Sequence, residues 1–324
     1  MNDSSGTRHL IDPELLPALE MLPAFEFNHE TLPAIREGLS GAVIPFDPPI
    51  APVEKVIEGP DGAVSVFWFD PEPSAKDRPA LLHIHGGGMV IGSARLMPHG
   101  PSTLAASIGL PVASVEYRLA PETPFPGPQE DCYAALAWMA RDAAELGIDP
   151  SRIGVTGESA GGLLAAAVAQ MARDRGGPKL AAQILVYPML DHRVGGDADP
   201  WRNRHTGEFV WTRKSNQFGW ESLRGDYLPN DARKGWFSPS LADDVAGLPP
   251  TWIGVGNLDL FFDEDLDYAR RLVDAGVPVE LHAYPGAFHG FDMLGGAGVT
   301  KAFARDRRSG TARLLGVKPP SDAE

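Results

Sequence analysis

Ser159 sits within Gly157-Glu158-Ser159-Ala160-Gly161, a G-x-S-x-G pentapeptide flanked by two apolar segments. Ile153-Gly154-Val155-Thr156 before it reads as a buried strand, and Leu163 to Met171 after it reads as a helix. The serine therefore falls at a strand-to-helix corner. Such a corner leaves no room for flanking side chains, and glycine permits the reversal. The turn lifts the hydroxyl clear of the sheet, and the N–H groups at the helix start favour negative charge beside it. This points to nucleophilic attack by a serine. The plain alternative is a Gly-rich helix start with Ser159 as an ordinary N-cap.

A second motif favours the chemical reading. His85-Gly86-Gly87-Gly88 follows the apolar run Ala80-Leu81-Leu82-His83-Ile84, which reads as a strand entering a loop. Consecutive glycines leave backbone N–H groups bare, able to approach a ligand oxygen without a Cβ in the way. In acyl transfer the carbonyl oxygen gains negative charge, and one donor aimed at it is worth about 10²–10³ in rate. A phosphate loop would carry Lys-Ser/Thr after the glycines or a G-x-G-x-x-G spacing. Neither is present.

A serine nucleophile needs a base and a group to orient that base. Thr251-Trp252-Ile253-Gly254-Val255-Gly256 reads as a strand followed by Asn257-Leu258-Asp259. Val279-Glu280-Leu281-His282-Ala283-Tyr284 alternates like a strand and leads into Pro285-Gly286-Ala287-Phe288-His289-Gly290-Phe291. Both Asp259 and His289 follow strand C-terminal ends, where open α/β sheets place their chemistry. The acids Asp263, Glu264, Asp265 and Asp267 compete with Asp259 but read more simply as first-turn residues favoured by a helix dipole. Among the other histidines, His83 and His282 fall within strands, where packing or surface roles fit. His99, His192 and His205 stand in loop surroundings without a second motif, and His85 reads as an organiser of the glycine loop.

The elements around these residues alternate. Val53-Glu54-Lys55-Val56-Ile57 and Ala63 to Phe69 read as an opening antiparallel pair. Strand and helix then alternate through Val112–Val115, Ile153–Val155, Ile184–Tyr187, Trp252–Val255 and Glu280–Tyr284. That pattern gives an α/β fold with a mostly parallel central sheet flanked by helices on both faces. It breaks twice. The first 45 or so residues read as amphipathic helix, with Leu15, Leu16, Ala18, Leu19, Met21 and Leu22 needing a partner surface. Between Asp191 and about Ser238 runs a Trp- and Gly-rich stretch too long for a plain connection.

Composition narrows the partners. The 28 Lys and Arg against 43 Asp and Glu give a net charge of −15, which argues against nucleic acid or an anionic membrane surface. The single cysteine, Cys132, lies in a helix-like run and cannot form an internal disulfide, which fits a cytoplasmic protein. No signal segment or membrane-length apolar stretch is read, and no metal-ligand spacing such as H-x-x-x-H or C-x-x-C occurs.

Taken together, His85-Gly86-Gly87-Gly88, Tyr117-Arg118-Leu119-Ala120-Pro121-Glu122, Gly157-Glu158-Ser159-Ala160-Gly161-Gly162, Asp259-Leu260-Phe261-Phe262-Asp263-Glu264 and Phe288-His289-Gly290 resemble the hormone-sensitive-lipase-like (bacterial family IV) carboxylesterases. The likeness is strongest from about Pro79 to Phe291, with Ser…Asp…His in the chain order of an α/β-hydrolase. It implies Ser159 as nucleophile with Asp259 and His289 as partners. It also implies an oxyanion hole from the N–H groups of Gly87, Gly88 and Ala160, and no cofactor. Two departures stand out: the family usually has Asp or Thr where this chain has Glu158, and its Asp-Pro-Leu block here reads Asp259-Leu260.

By the same resemblance, residues 1–45 and 191–238 form a cap on a core made of 46–190 and 239–324. Phe209, Val210, Trp211, Phe218 and Trp220 would supply aromatic bulk over the serine, and Met89, Phe209, Trp211 and Phe288 are expected at the substrate pocket. The expected activity is hydrolysis of short-chain acyl esters on a small-molecule substrate. An amidase or deacetylase would use the same residues, and a non-catalytic ligand receptor would keep the fold but not need a complete triad. The last strand, Val279–Tyr284, is expected at a sheet edge, where two copies would pair as a homodimer.

Overall fold

Eight strands form one sheet in the computed structural model, which describes residues 6–22, 25–41, 47–228 and 230–318. They are β1 (Val53–Gly59), β2 (Gly62–Phe69), β3 (Arg78–Ile84), β4 (Val112–Val115), β5 (Ile148–Glu158), β6 (Ala182–Val186), β7 (Thr251–Gly256) and β8 (Val279–Tyr284), in the order β1-β2-β4-β3-β5-β6-β7-β8. Only β2 runs against its neighbours; from β4 to β8 every pairing is parallel. The opening pair expected from the alternation at Val53 and Ala63 is β1 with β2, joined in register Val53 to Trp68. The edge expected for Val279–Tyr284 is there too, since among the described residues β8 pairs only with β7.

Parallel strands need crossovers, and helices cover both faces as a result. The helices are α1 (Leu16–Leu19), α2 (Leu32–Gly41), α3 (His99–Ile108), α4 (Gly127–Arg141), α5 (Ala143–Leu146), α6 (Ala160–Asp174), α7 (Arg213–Arg224), α8 (Lys234–Phe237), α9 (Phe262–Asp274) and α10 (Gly298–Leu314). α4, α6 and α9 pack on one face and α3 and α10 on the other. Strand periodicity divides the core accordingly: Ile184 and Val186 of β6 point into the α3/α10 layer, and Leu185 into the opposite one. β3 and β7 are buried along their whole length, as strands covered on both faces must be.

The two interruptions of the alternation are helical but broken. The N-terminal segment carries α1 and α2 rather than one continuous helix. Leu15 is wholly buried in the α3/α10 layer, whereas Met21 is exposed, so its apolar residues do not share one docking face. The mid-chain stretch carries α7 and α8. Parts of the segments expected to form a cap, residues 1–5, 23–24, 42–45 and 229, lie outside the described residues. Among the described residues, no helix is long and apolar enough to cross a membrane.

Candidate active site

The serine corner forms where β5 ends and α6 begins. Ser159 adopts φ 59°, ψ −119°, a backbone region that side chains rarely occupy. Three backbone bonds hold it there: its N–H donates to the Val186 carbonyl at 2.9 Å, and its carbonyl accepts from Met189 and Leu163 at 3.1 Å each. The glycines are a steric requirement. A Cβ on Gly161 would collide with the Ile84 carbonyl oxygen, and one on Gly157 with the Gly161 carbonyl.

His289 lies on the loop after β8, and Asp259 on the loop after β7. The imidazole joins them to the serine, with Nδ1 2.8 Å from Asp259 Oδ2 and Nε2 3.0 Å from Ser159 Oγ. With the proton on Nδ1, that nitrogen donates to the carboxylate and Nε2 accepts from the hydroxyl. The other oxygen of Asp259, Oδ1, accepts the Phe261 N–H at 3.0 Å, so both carboxylate oxygens have a partner without water. The carboxylate is wholly buried; Ser159 is 5% and His289 7% exposed.

The glycine loop faces this group. Gly87 and Gly88 have φ of 113° and 60°, which frees the turn from side-chain constraint. Val90 and Ile91 N–H groups close it by donating to the Gly87 carbonyl at 3.0 and 2.9 Å. His85 does organise the loop, its Nδ1 2.8 Å from the Gly86 carbonyl and its ring stacked on Tyr117 at 4.2 Å. Burial pulls its pKa down to about 4, so this imidazole stays neutral. Among the described residues, the N–H groups of Gly87, Gly88 and Ala160 have no hydrogen-bond acceptor.

Aromatic rings close over the group. Trp211 sits 6.3 Å from the His289 ring and so near Gly88 that a Cβ there would overlap its indole. Phe27 packs on Trp211 at 5.5 Å, and Phe209, half-buried, lies 6.1 Å from the wholly buried Phe288. Phe261 meets the His289 ring edge-on at 5.2 Å. Met89 is wholly buried within the core beside the glycine turn. Phe218 packs against His29 of the N-terminal segment, while Trp220 turns towards Phe237.

Several residues took roles the sequence did not signal. Tyr187 packs its ring 4.7 Å from His289 and donates its hydroxyl to the half-buried Asp292 at 2.5 Å. Its position directly after β6 was the available clue. His83 is buried and bridges Ser114 Oγ at 2.9 Å and Glu158 at 3.1 Å, a more specific role than packing. Glu264 and Asp265 stand in the first turn of α9, as their place in the sequence suggested, but their burial was not signalled. Both are wholly buried, because the α9 start points into the core. Burial raises both carboxyl pKa values well above the usual range; Glu264 still accepts the Leu190 and Asp191 N–H groups at 3.2 and 2.6 Å.

A parallel-sheet fold with a serine corner, a histidine and a buried aspartate after successive strands defines an α/β-hydrolase. The family model for the alpha/beta hydrolase fold matches residues 81–293. The chain belongs to this family, in its hormone-sensitive-lipase-like branch. It is 33% identical to Esterase LipI of Mycobacterium tuberculosis over 97% of both chains. It is 36% identical to Carboxylesterase NlhH of the same species, over 90% of this chain and 92% of the relative. Among solved structures, a bacterial heroin esterase superposes with a TM-score of 0.87 at 39% identity, over 95% of this chain and 99% of the other. Esterase LipW from Mycobacterium marinum follows at 0.83 and 29%, over 95% and 97%.

Proposed function

We propose that this carboxylic ester hydrolase cleaves short-chain acyl esters through an acyl-enzyme formed on Ser159. The single observation carrying the proposal is the unbroken relay from Asp259 through His289 to the Ser159 hydroxyl, at 2.8 and 3.0 Å. As Ser159 Oγ attacks the ester carbonyl, neutral His289 takes its proton at Nε2, and Asp259 stabilises the resulting imidazolium. The carbonyl oxygen becomes an oxyanion, and the Gly87, Gly88 and Ala160 N–H groups receive it. When the tetrahedral adduct collapses, the alcohol leaves with the proton from His289. Water then attacks the acyl-serine, His289 accepts its proton, and a second collapse returns the proton to Ser159 and releases the carboxylic acid.

The short-chain preference follows from enclosure. Trp211 lies against the His289 ring and over Gly88, with Phe27 packed on it and Phe209 on Phe288, which favours a bounded pocket over an open groove. In this reading the N-terminal segment and residues 191–238 act together as a cap. A p-nitrophenyl ester series tests it: kcat/KM should peak between about acetyl and hexanoyl and fall for longer chains. A value that climbs steadily to palmitoyl would overturn the preference. Matched ester and amide substrates separate esterase from amidase, with the ester expected to turn over faster. His289→Ala should abolish turnover, whereas His282→Ala should not, since His282 sits on β8 paired with Glu280 at 2.7 Å.

A further inference from the structure

Arg36, on α2 of the N-terminal segment, reaches the far side of the glycine turn. Its Nε donates to the Val90 carbonyl at 2.8 Å, and its Nη2 to the Ala120 carbonyl at 2.7 Å. Nη1 and Nη2 also meet the two oxygens of Glu122 at 2.8 and 3.0 Å. Four of the five guanidinium N–H groups are thus committed, all to two loops that carry no side chain of the triad.

Those loops build the oxyanion side of the site. The N–H of Val90, whose carbonyl Arg36 holds, closes the turn on the Gly87 carbonyl at 3.0 Å. The N–H of Ala120, whose carbonyl Arg36 also holds, donates to the Met89 carbonyl at 2.9 Å. One guanidinium therefore holds both residues whose N–H groups fix the turn next to Gly87 and Gly88. The same N-terminal segment reaches the turn a second way, since Phe27 packs on Trp211 and Trp211 covers Gly88. Glu122 is mostly exposed, so its ion pair adds little stability; its effect is to aim the fork at the carbonyls.

From this we propose that Arg36 is a positioning residue for the oxyanion hole, coupling the docking of the N-terminal helix to the orientation of the Gly87 and Gly88 N–H groups. The inference rests on the acyl-enzyme reading and adds a function for a residue remote from the triad. A hole whose donors drift should lose stabilisation of the developing oxyanion while ground-state binding persists.

The test is steady-state kinetics on p-nitrophenyl acetate, with kcat expressed per serine titrated by a phosphonate. Arg36→Ala should lower kcat by about 10- to 100-fold with KM within about threefold, the scale of a small misplacement of catalytic groups. Inhibition by phenylboronic acid, which mimics the tetrahedral adduct, should weaken in parallel. Arg36→Lys should recover little, because one ammonium cannot span three acceptors, and it carries the test if the alanine variant fails to fold. Glu122→Gln, which keeps both carbonyl bonds, should cost less than Arg36→Ala. Variants whose kcat per titrated serine stays within about twofold of the parent, or whose loss lies wholly in KM, overturn the proposal. Ser159→Ala separates the two readings: residual turnover there removes the acyl-enzyme, whereas an inactive Ser159→Ala beside a normal Arg36→Ala removes only the clamp.

Discussion

Arg307 on the C-terminal helix lies 2.7 Å from Glu158, the residue immediately before the serine. His83 meets the same carboxylate at 3.1 Å from the other side. The last helix and a central strand are thereby locked to the corner on which Ser159 stands. Burial alone would raise the Glu158 pKa, but the His83 and Arg307 charges and hydrogen bonds outweigh it and hold it at about 2.

A depressed carboxyl pKa is a stability statement. The contribution of Glu158 should be complete above its ordinary 4.5 and vanish as pH falls through about 2. Glu158→Gln should therefore be less stable than the parent at neutral pH, and the gap should narrow with acidity. Urea midpoints at about pH 7, 5 and 3 measure it. A gap that stays constant or widens towards acid contradicts the assignment.

Ser159 should lower stability for the sake of its position. A non-glycine residue at φ 59°, ψ −119° stores about 1–3 kcal/mol, and glycine would release it. Greater freedom of the unfolded chain offsets about 0.4–1 kcal/mol of that gain. Ser159→Gly is expected to be more stable than Ser159→Ala by about 1 kcal/mol, both lacking the hydroxyl and both inactive by about 10⁶ in kcat. Equal thermal midpoints would argue against strain at the corner.

Asp265 is wholly buried, and neither of its carboxyl oxygens has a partner among the described residues. Burial first, and then the nearby Glu264 and Asp259 charges, raise its pKa well above 3.8. The unfolded chain ionises this group more readily than the folded one, so its cost to stability grows as pH rises above 3.8. Asp265→Asn removes that cost and should raise the melting temperature at neutral pH, with a smaller gain near about pH 4. A destabilised variant whose deficit does not change with pH would show that the carboxyl has a partner.

β8 ends the sheet, its outer N–H and C=O groups paired with no other strand among the described residues, and Leu281 faces solvent at 37% exposure. We expect two copies to pair there about a two-fold axis. Light scattering at micromolar concentration should return twice 34.7 kDa. Leu281→Pro or Ala283→Pro should return the monomer mass, because proline removes a donor from the ladder. A monomer in the parent protein rejects the pairing.

The sequence by itself determined the fold class and where in the chain the chemistry lies. Steric need is local: Gly157 and Gly161 announce a corner because no side chain fits there, and Asp259 and His289 follow strands whose apolar patterns are equally local. Contacts between distant segments were decided by the tertiary structure. Glu264 and Asp265 read as first-turn acids from the helix pattern, and so they are, but only the packing of α9 on β7 and β8 decided that they are buried. Nothing near Arg36 in sequence shows that it would grip Val90, and nothing near Glu158 shows that Arg307, 149 residues away, would pair with it. Burial and ion pairing depend on which faces meet, and local periodicity says which face is apolar but not what lies opposite.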